Sequence, residues 1–235
     1  MSLGAVIFDF YGTLTEHTSV TVRRSGTNDV ARALGIPTDE LFDTISSTFT
    51  ERATGRCGDM LATMTWVADR CGYHPTDAQL AAACAVRSEV EGRYARKLRH
   101  DAVGTLRRLR RRGLRVAVVS DCTHELPDIW AGLPVAPLVD ATVFSVLMGE
   151  RKPHPSLCLT ACHRLGIEPS DAIYVGDGGS NELSGATAVG IAAVRLVTAD
   201  ATDAMVHDPE QGWTGPVIHS LTALTSFLAP GIGAR

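Results

Sequence analysis

The chain has 235 residues, 45% hydrophobic and 20% charged, with a net charge of −4 and a mean hydropathy of +0.07. That length buries a sizeable core, as one large domain or as a domain carrying an insert. A near-neutral charge spread over the chain excludes a polybasic nucleic-acid or membrane-binding surface, and no apolar run approaches the ~20 residues of a membrane span.

The first element is Ala5-Val6-Ile7-Phe8, an uninterrupted apolar run that predicts a strand buried on both faces, closed by Asp9 and a turn at Gly12. From residue 16 to residue 98 the pattern is helical. A short helix is expected after Thr27-Asn28, ending at Gly35, and a second opens at Thr38 with Leu41, Phe42, Ile45 and Phe49 at helical spacing. A third covers Met60 to Cys71, and a fourth follows the cap signal Pro75-Thr76-Asp77 toward Tyr94. From residue 99 the chain alternates. Helix Ala102–Arg112 precedes strand Leu114–Val119, which ends in Ser120-Asp121; helix Glu125–Ala131 precedes strand Ala141–Ser145. Helix Pro155–Leu165 leads to strand Ala172–Val175, ending in Gly176-Asp177, and helix Asn181–Ala188 leads to strand Ile191–Val194. Residues 199–204 are expected to be loop or a short turn, Val217-Ile218 an edge strand, and Leu221–Leu228 a last helix. Strand–helix alternation implies a doubly wound parallel α/β sheet, here residues 1–15 and 99–235, with residues 16–98 as an inserted helical domain.

The basic stretch Arg107-Arg108-Leu109-Arg110-Arg111-Arg112 has no interleaved aromatic residues and reads as a solvated helix face. Six cysteines show neither a CxxC pair nor metal-finger spacing, so they read as reduced thiols of a cytoplasmic protein.

Ligands of open parallel sheets bind at the carboxyl ends of strands, where this chain places Asp9, Ser120 with Asp121, and Asp177. Carboxylates with a hydroxyl beside them make a hard-oxygen cluster suited to Mg²⁺. Lys152, in Glu150-Arg151-Lys152-Pro153-His154-Pro155, is fixed by prolines before a helix and can neutralise a bound phosphate or the aspartate itself.

In this order the residues resemble the signature of the haloacid dehalogenase (HAD) superfamily, in its branches with a helical cap inserted after the first strand. Asp9-Phe10-Tyr11-Gly12-Thr13 matches Asp-x-Asp-Gly-Thr with tyrosine for the second aspartate; Ser120, Lys152-Pro153, and Gly176-Asp177 with Glu182 match the other three motifs. The resemblance implies a Rossmann-like core and a Mg²⁺-dependent phosphatase of a small phosphorylated metabolite. Asp9 would be the nucleophile, giving an aspartyl-phosphate. Ser120, Asp121 and the Gly12-Thr13 turn would bind the phosphoryl group, Lys152 would neutralise charge, and Asp9, the Tyr11 carbonyl, Asp177 and Glu182 would hold the metal.

Tyr11 lacks the carboxylate that in such phosphatases protonates the leaving oxygen, help worth roughly 10²–10⁴-fold. Glu16 and His17 are alternatives that the sequence allows, but they read sooner as linker residues. The Asp-x-Tyr-Gly-Thr form is that of the 2-haloacid dehalogenases, in which Asp9 would attack carbon and halide would leave without a proton; Arg23, Arg24 or Arg32 would then cup a carboxylate. Motif four is intact, unlike theirs, and outweighs motif one. A third reading is a phospho-ligand-binding protein without turnover. Arg52, Arg56 and Asp59 fall in a glycine-containing break between cap helices, and Arg56 is the candidate for contact with substrate, against its reading as a solvated loop arginine. Expected partners are a small molecule only, with no nucleic acid or membrane, in a monomer or homodimer.

Overall fold

A computed structural model describes residues 3–201 and 207–228. Six strands form one parallel sheet: β1 (Ala5–Phe8), β2 (Arg115–Ser120), β3 (Ala141–Phe144), β4 (Ala172–Gly176), β5 (Ala192–Leu196) and β6 (Val217–Ile218). Their order, β3-β2-β1-β4-β5-β6, puts β1 in the interior and reverses direction between β1 and β4. Such a reversal opens a crevice at the carboxyl ends of the strands. Phe8 pairs with Val118 on one side and Val175 on the other, and the Asp9 N–H donates to Val175 O at 2.9 Å. Asp9, Ser120 and Asp177 therefore emerge at one edge.

Alternation of side chains across the strands divides the core in two. Val6, Phe8, Val116, Val118 and Val175 face helices α6 (Ala102–Arg111) and α11 (Leu221–Phe227), whereas Ile7, Ala117, Val119 and Tyr174 face α9 (Pro155–Leu165) and α10 (Glu182–Ala188). Short helices α7 (Glu125–Ile129) and α8 (Ser145–Met148) flank β3.

Between β1 and α6 the chain forms only helices: α1 (Val20–Leu34), α2 (Thr38–Ser47), α3 (Phe49–Ala53), α4 (Met60–Arg70) and α5 (Asp77–Arg96). Helices α1, α2, α4 and α5 pack around their own cluster of Val30, Leu34, Leu41, Met64, Val67 and Ala83. The insert joins the core through two paired segments: Thr15 bridges Leu98 antiparallel, and the Glu16 N–H donates to Lys97 O at 2.9 Å. No helix among the described residues is long and apolar enough to cross a membrane.

Two helices differ from the sequence expectation. The first begins at Val20, capped by Ser19, not after Asn28. Ser25-Gly26-Thr27-Asn28 resembles a break, but Gly26 lies inside α1 against α5, where a Cβ would collide with the Tyr94 hydroxyl and Val90. Close helix packing, a tertiary demand, overrides the local penalty of glycine. The second helix stops at Ser47, and Phe49 opens a separate turn of helix. The six cysteines are free, five of them buried. The loop or short turn expected at 199–204 is a 3₁₀ turn over Ala199–Ala201, and its remainder lies outside the described residues.

Candidate active site

The strand ends and the insert enclose a cavity of about 140 Å³. Its floor carries Asp9, Tyr11, Gly12, Asp121, Lys152 and Asp177, and its roof carries Arg23, Phe42, Phe49, Arg52, Arg87 and Glu91.

Lys152 Nζ donates to Asp9 Oδ1 at 2.6 Å and to Glu182 Oε2 at 2.5 Å, with all three side chains buried. Glu182 Oε2 also accepts from Tyr174 at 2.8 Å and Oε1 from the Gly178 N–H at 3.0 Å. Oxygens of Asp9, Asp177 and Glu182 lie within 4.8 Å of one another. Burial, and after it the nearness of Asp177, lifts the Asp9 carboxyl to about 6 despite Lys152. Burial and then Asp9 push Glu182 well above the usual carboxylate range. Burial pulls Lys152 down, but Asp9 and Glu182 outweigh it and hold the ammonium protonated. Lys152 pairs with two of the three clustered carboxylates, which leaves the floor short of positive charge. Asp9 Oδ2 is also buried with no hydrogen-bond partner among the described residues, an arrangement that is costly unless a cation or ligand meets it. The donor set fits a hard divalent cation.

Gly12, at φ +83°, permits the turn that follows Asp9, and a Cβ there would run into Asp177 Oδ2 and the His17 ring. His17 lines the cavity with Nδ1 3.6 Å from Asp177 Oδ2, so it is a wall residue and not linker alone. Burial lowers its pKa against the pull of Asp177, which leaves the imidazole neutral at pH 7. Glu16 pairs with Lys97 at 2.9 Å where the two segments join the insert to the core, a junction termed the hinge. Burial and then Glu91 raise the Tyr11 phenol well above 10, so it carries no base at neutral pH.

Several expected contacts differ. The Gly12 N–H donates to Thr15 Oγ1 at 3.1 Å and the Thr13 N–H to Phe10 O at 3.3 Å, so both are engaged within the turn instead of facing a ligand. Ser120 and Thr13 are wholly buried and do not line the cavity. Asp121 lines it, but its carboxylate accepts from the Lys152 N–H at 2.9 Å and Arg151 Nε at 3.3 Å, which orients the lysine loop. Arg56 is exposed and away from the cavity, and Asp59 caps α4. The break at Thr48 instead turns Arg52 inward.

Arg52 is the roof's distinctive charge. It is buried and donates to Ile45 O at 2.6 Å, yet among the described residues it makes no ion pair. Burial and then Arg87 lower its pKa to about 10, still protonated at pH 7. Arg87 pairs with Glu125 at 2.6 Å and Glu91 at 3.0 Å, and Arg23 lies 3.7 Å from Glu91. Three arginines against two glutamates leave one positive charge above a negative floor. The i,i+4 spacing of Arg87 and Glu91 was a readable signal for that pair; nothing in the sequence marks His207, which stacks on Phe49 at 4.0 Å.

With this geometry in view, the comparison with known proteins is direct. A sequence model of the haloacid dehalogenase-like hydrolases matches residues 3–190. The chain belongs to that family. It is 33% identical over 125 residues to bovine (Bos taurus) haloacid dehalogenase-like hydrolase domain-containing protein 3, covering 52% of this chain and 50% of that one. It is 30% identical over 128 residues to a glyceraldehyde 3-phosphate phosphatase of Methanopyrus kandleri, 54% of each. The chain spans about half the length of these curated relatives. The structure of a 2-haloacid dehalogenase from Pseudomonas syringae pv. Tomato superposes with a TM-score of 0.69 at 20% identity, covering 97% of this chain and 98% of that one, a likeness of fold. The chain is thus a HAD-like hydrolase with the family's parallel α/β fold.

Proposed function

We propose that this HAD-like hydrolase is a Mg²⁺-dependent phosphatase of a small phosphorylated metabolite, with the insert as its cap. The observation that carries the reading is the cluster of buried Asp9 and Glu182 with half-buried Asp177, in which Lys152 pairs with Asp9 and Glu182 and Asp9 Oδ2 has no hydrogen-bond partner among the described residues. Asp9 and Asp177 would hold the ion, with the Tyr11 carbonyl beside them; Glu182, whose oxygens are already engaged, would hold Lys152 and the Gly178 loop. Bound Mg²⁺ would supply the charge that lets a carboxylate approach a phosphate dianion.

Asp9 would attack phosphorus in line, forming an aspartyl-phosphate and expelling the alcohol, and water would then cleave the acyl-phosphate. Lys152 is held where it can meet charge developing on the phosphoryl oxygens. Arg52 would meet a second anionic group on the substrate. The named activity of the Methanopyrus relative favours phosphate chemistry.

Tyr11 favours the second reading, 2-haloacid hydrolysis, because halide leaves without a proton. Phosphate monoesters and 2-haloacids tested with Mg²⁺ and then with chelator separate the two. Phosphate release lost in chelator supports the phosphatase; halide release that persists in chelator supports the dehalogenase. Ligand binding with neither product would leave a binding protein.

A further inference from the structure

Arg99 sits where the chain re-enters the core from the insert. Its backbone N–H donates to Leu14 O at 2.9 Å, and its side chain reaches behind the turn that follows Asp9. Nε donates to Thr13 O at 3.1 Å, and Nη2 donates to Gly12 O at 2.8 Å and to Thr198 Oγ1 at 3.0 Å. Nη1 donates to Asp200 Oδ1 at 3.0 Å. Four of the guanidinium's five N–H donors thus have acceptors. Asp200 Oδ2 in turn accepts the His17 N–H at 2.8 Å, on the outgoing segment of the hinge. One buried side chain therefore grips the turn carrying the nucleophile, the hinge of the insert, and the loop after β5. It does not line the cavity.

We propose that Arg99 is a positioning residue that locks the nucleophile turn to the hinge, so that Asp9 is held in place only when the two hinge segments are in register. The Gly12 and Thr13 carbonyls face away from the cavity into a buried space, where they need donors. Arg99 supplies both from the hinge itself. A hinge shift moves Arg99, and with it the two carbonyls that follow Asp9 by three and four residues. A displacement of about 1 Å at a reacting group costs about 10²-fold in rate. Lysine cannot replace the fork, because a single ammonium lacks its planar set of donors.

The inference rests on Asp9 as the nucleophile of the proposed phosphatase, so its test has one arm that needs no turnover. Arg99→Gln, Arg99→Lys and Asp200→Asn are compared with the native chain by p-nitrophenyl phosphate hydrolysis with Mg²⁺, thermal melting, and amide hydrogen exchange without substrate. Both Arg99 variants are expected to lose about 30- to 100-fold in kcat with KM changed less than about threefold. Amides of residues 10–15 and 197–201 are expected to exchange at least about tenfold faster, with α9 unchanged. Asp200→Asn, on a half-exposed side chain that keeps an acceptor oxygen, is expected to lose about threefold in kcat, and it decides the matter if Arg99→Gln does not fold. Native kcat in Arg99→Lys, or in Asp200→Asn should Arg99→Gln not fold, overturns the proposal. So does a lowered melting temperature with native kcat per folded molecule. If the native chain hydrolyses nothing, the phosphatase reading fails by itself, and native exchange at residues 10–15 in Arg99→Gln overturns the lock.

Discussion

The floor and roof of the cavity are both buried and charged, but they are built by opposite means. The floor draws Asp9, Lys152 and Asp177 from strand ends and a loop on one sheet, and it carries more negative than positive charge. The roof draws Arg23, Arg52 and Arg87 from helices of the insert and carries one positive charge in excess. In the proposed phosphatase the floor does the chemistry and the roof selects what reaches it. Floor substitutions are then expected to act on kcat and roof substitutions on KM.

The largest effect is expected from Asp9→Asn, which removes the nucleophile and lowers kcat by roughly 10³-fold or more. Circular dichroism should show an intact fold, and calorimetric titration with Mg²⁺ should show weakened binding. Residual turnover above that level would move the chemistry off Asp9. Lys152→Gln is expected next, at about 10²-fold in kcat, measured by steady-state kinetics. A change in KM alone would assign Lys152 to uniform binding.

The leaving group tests the missing acid. Because Tyr11 stays protonated and carries no carboxylate, p-nitrophenyl phosphate should turn over at least about 10²-fold faster than an alkyl phosphate, a bias set by the roughly 10²–10⁴-fold worth of an acid. Tyr11→Asp should narrow that ratio by about tenfold. An unchanged ratio would mean that another group already donates the proton.

On the roof, Arg52→Gln is expected to raise KM about tenfold for phosphates bearing a carboxylate, and to change KM for neutral phosphate esters less than about twofold. Equal changes in both would remove Arg52 from substrate selection. The gentlest probe is pH. The Asp9 carboxyl, lifted to about 6, is nucleophilic only when ionised, so at limiting Mg²⁺ kcat/KM should fall as pH drops through about 6. Saturating Mg²⁺ favours the carboxylate and should move that limb to lower pH. A limb that ignores Mg²⁺ would separate the metal from Asp9.

The floor was legible because each of its residues is tied to a local pattern. A buried apolar strand must end somewhere, and Asp9, Asp121 and Asp177 follow three such ends. The sequence did not show that Ser120 is sealed behind the wall or that Asp121 serves Lys152, since both depend on how loops fold back across the sheet. The roof was mostly illegible. Arg52 and Arg56 fell in the same glycine-containing interruption, and only the helix break at Thr48 put Arg52, not Arg56, on the cavity wall. Helical periodicity tells which face of a helix is apolar and not which of several arginines faces a space enclosed by other elements.

By itself, the order of strands, helices and motif residues determined the α/β core, the helical insert and the carboxylate-bearing edge, because hydrophobic periodicity and turn chemistry act within a few residues. Only the tertiary structure decided the pairing of charges. Lys152 lies 143 residues from Asp9 along the chain and Arg99 lies 101 from Asp200, and of these four side chains burial encloses Asp9, Lys152 and Arg99. The energy of a buried charge depends on everything that replaces water around it, and that environment exists only once the chain has closed.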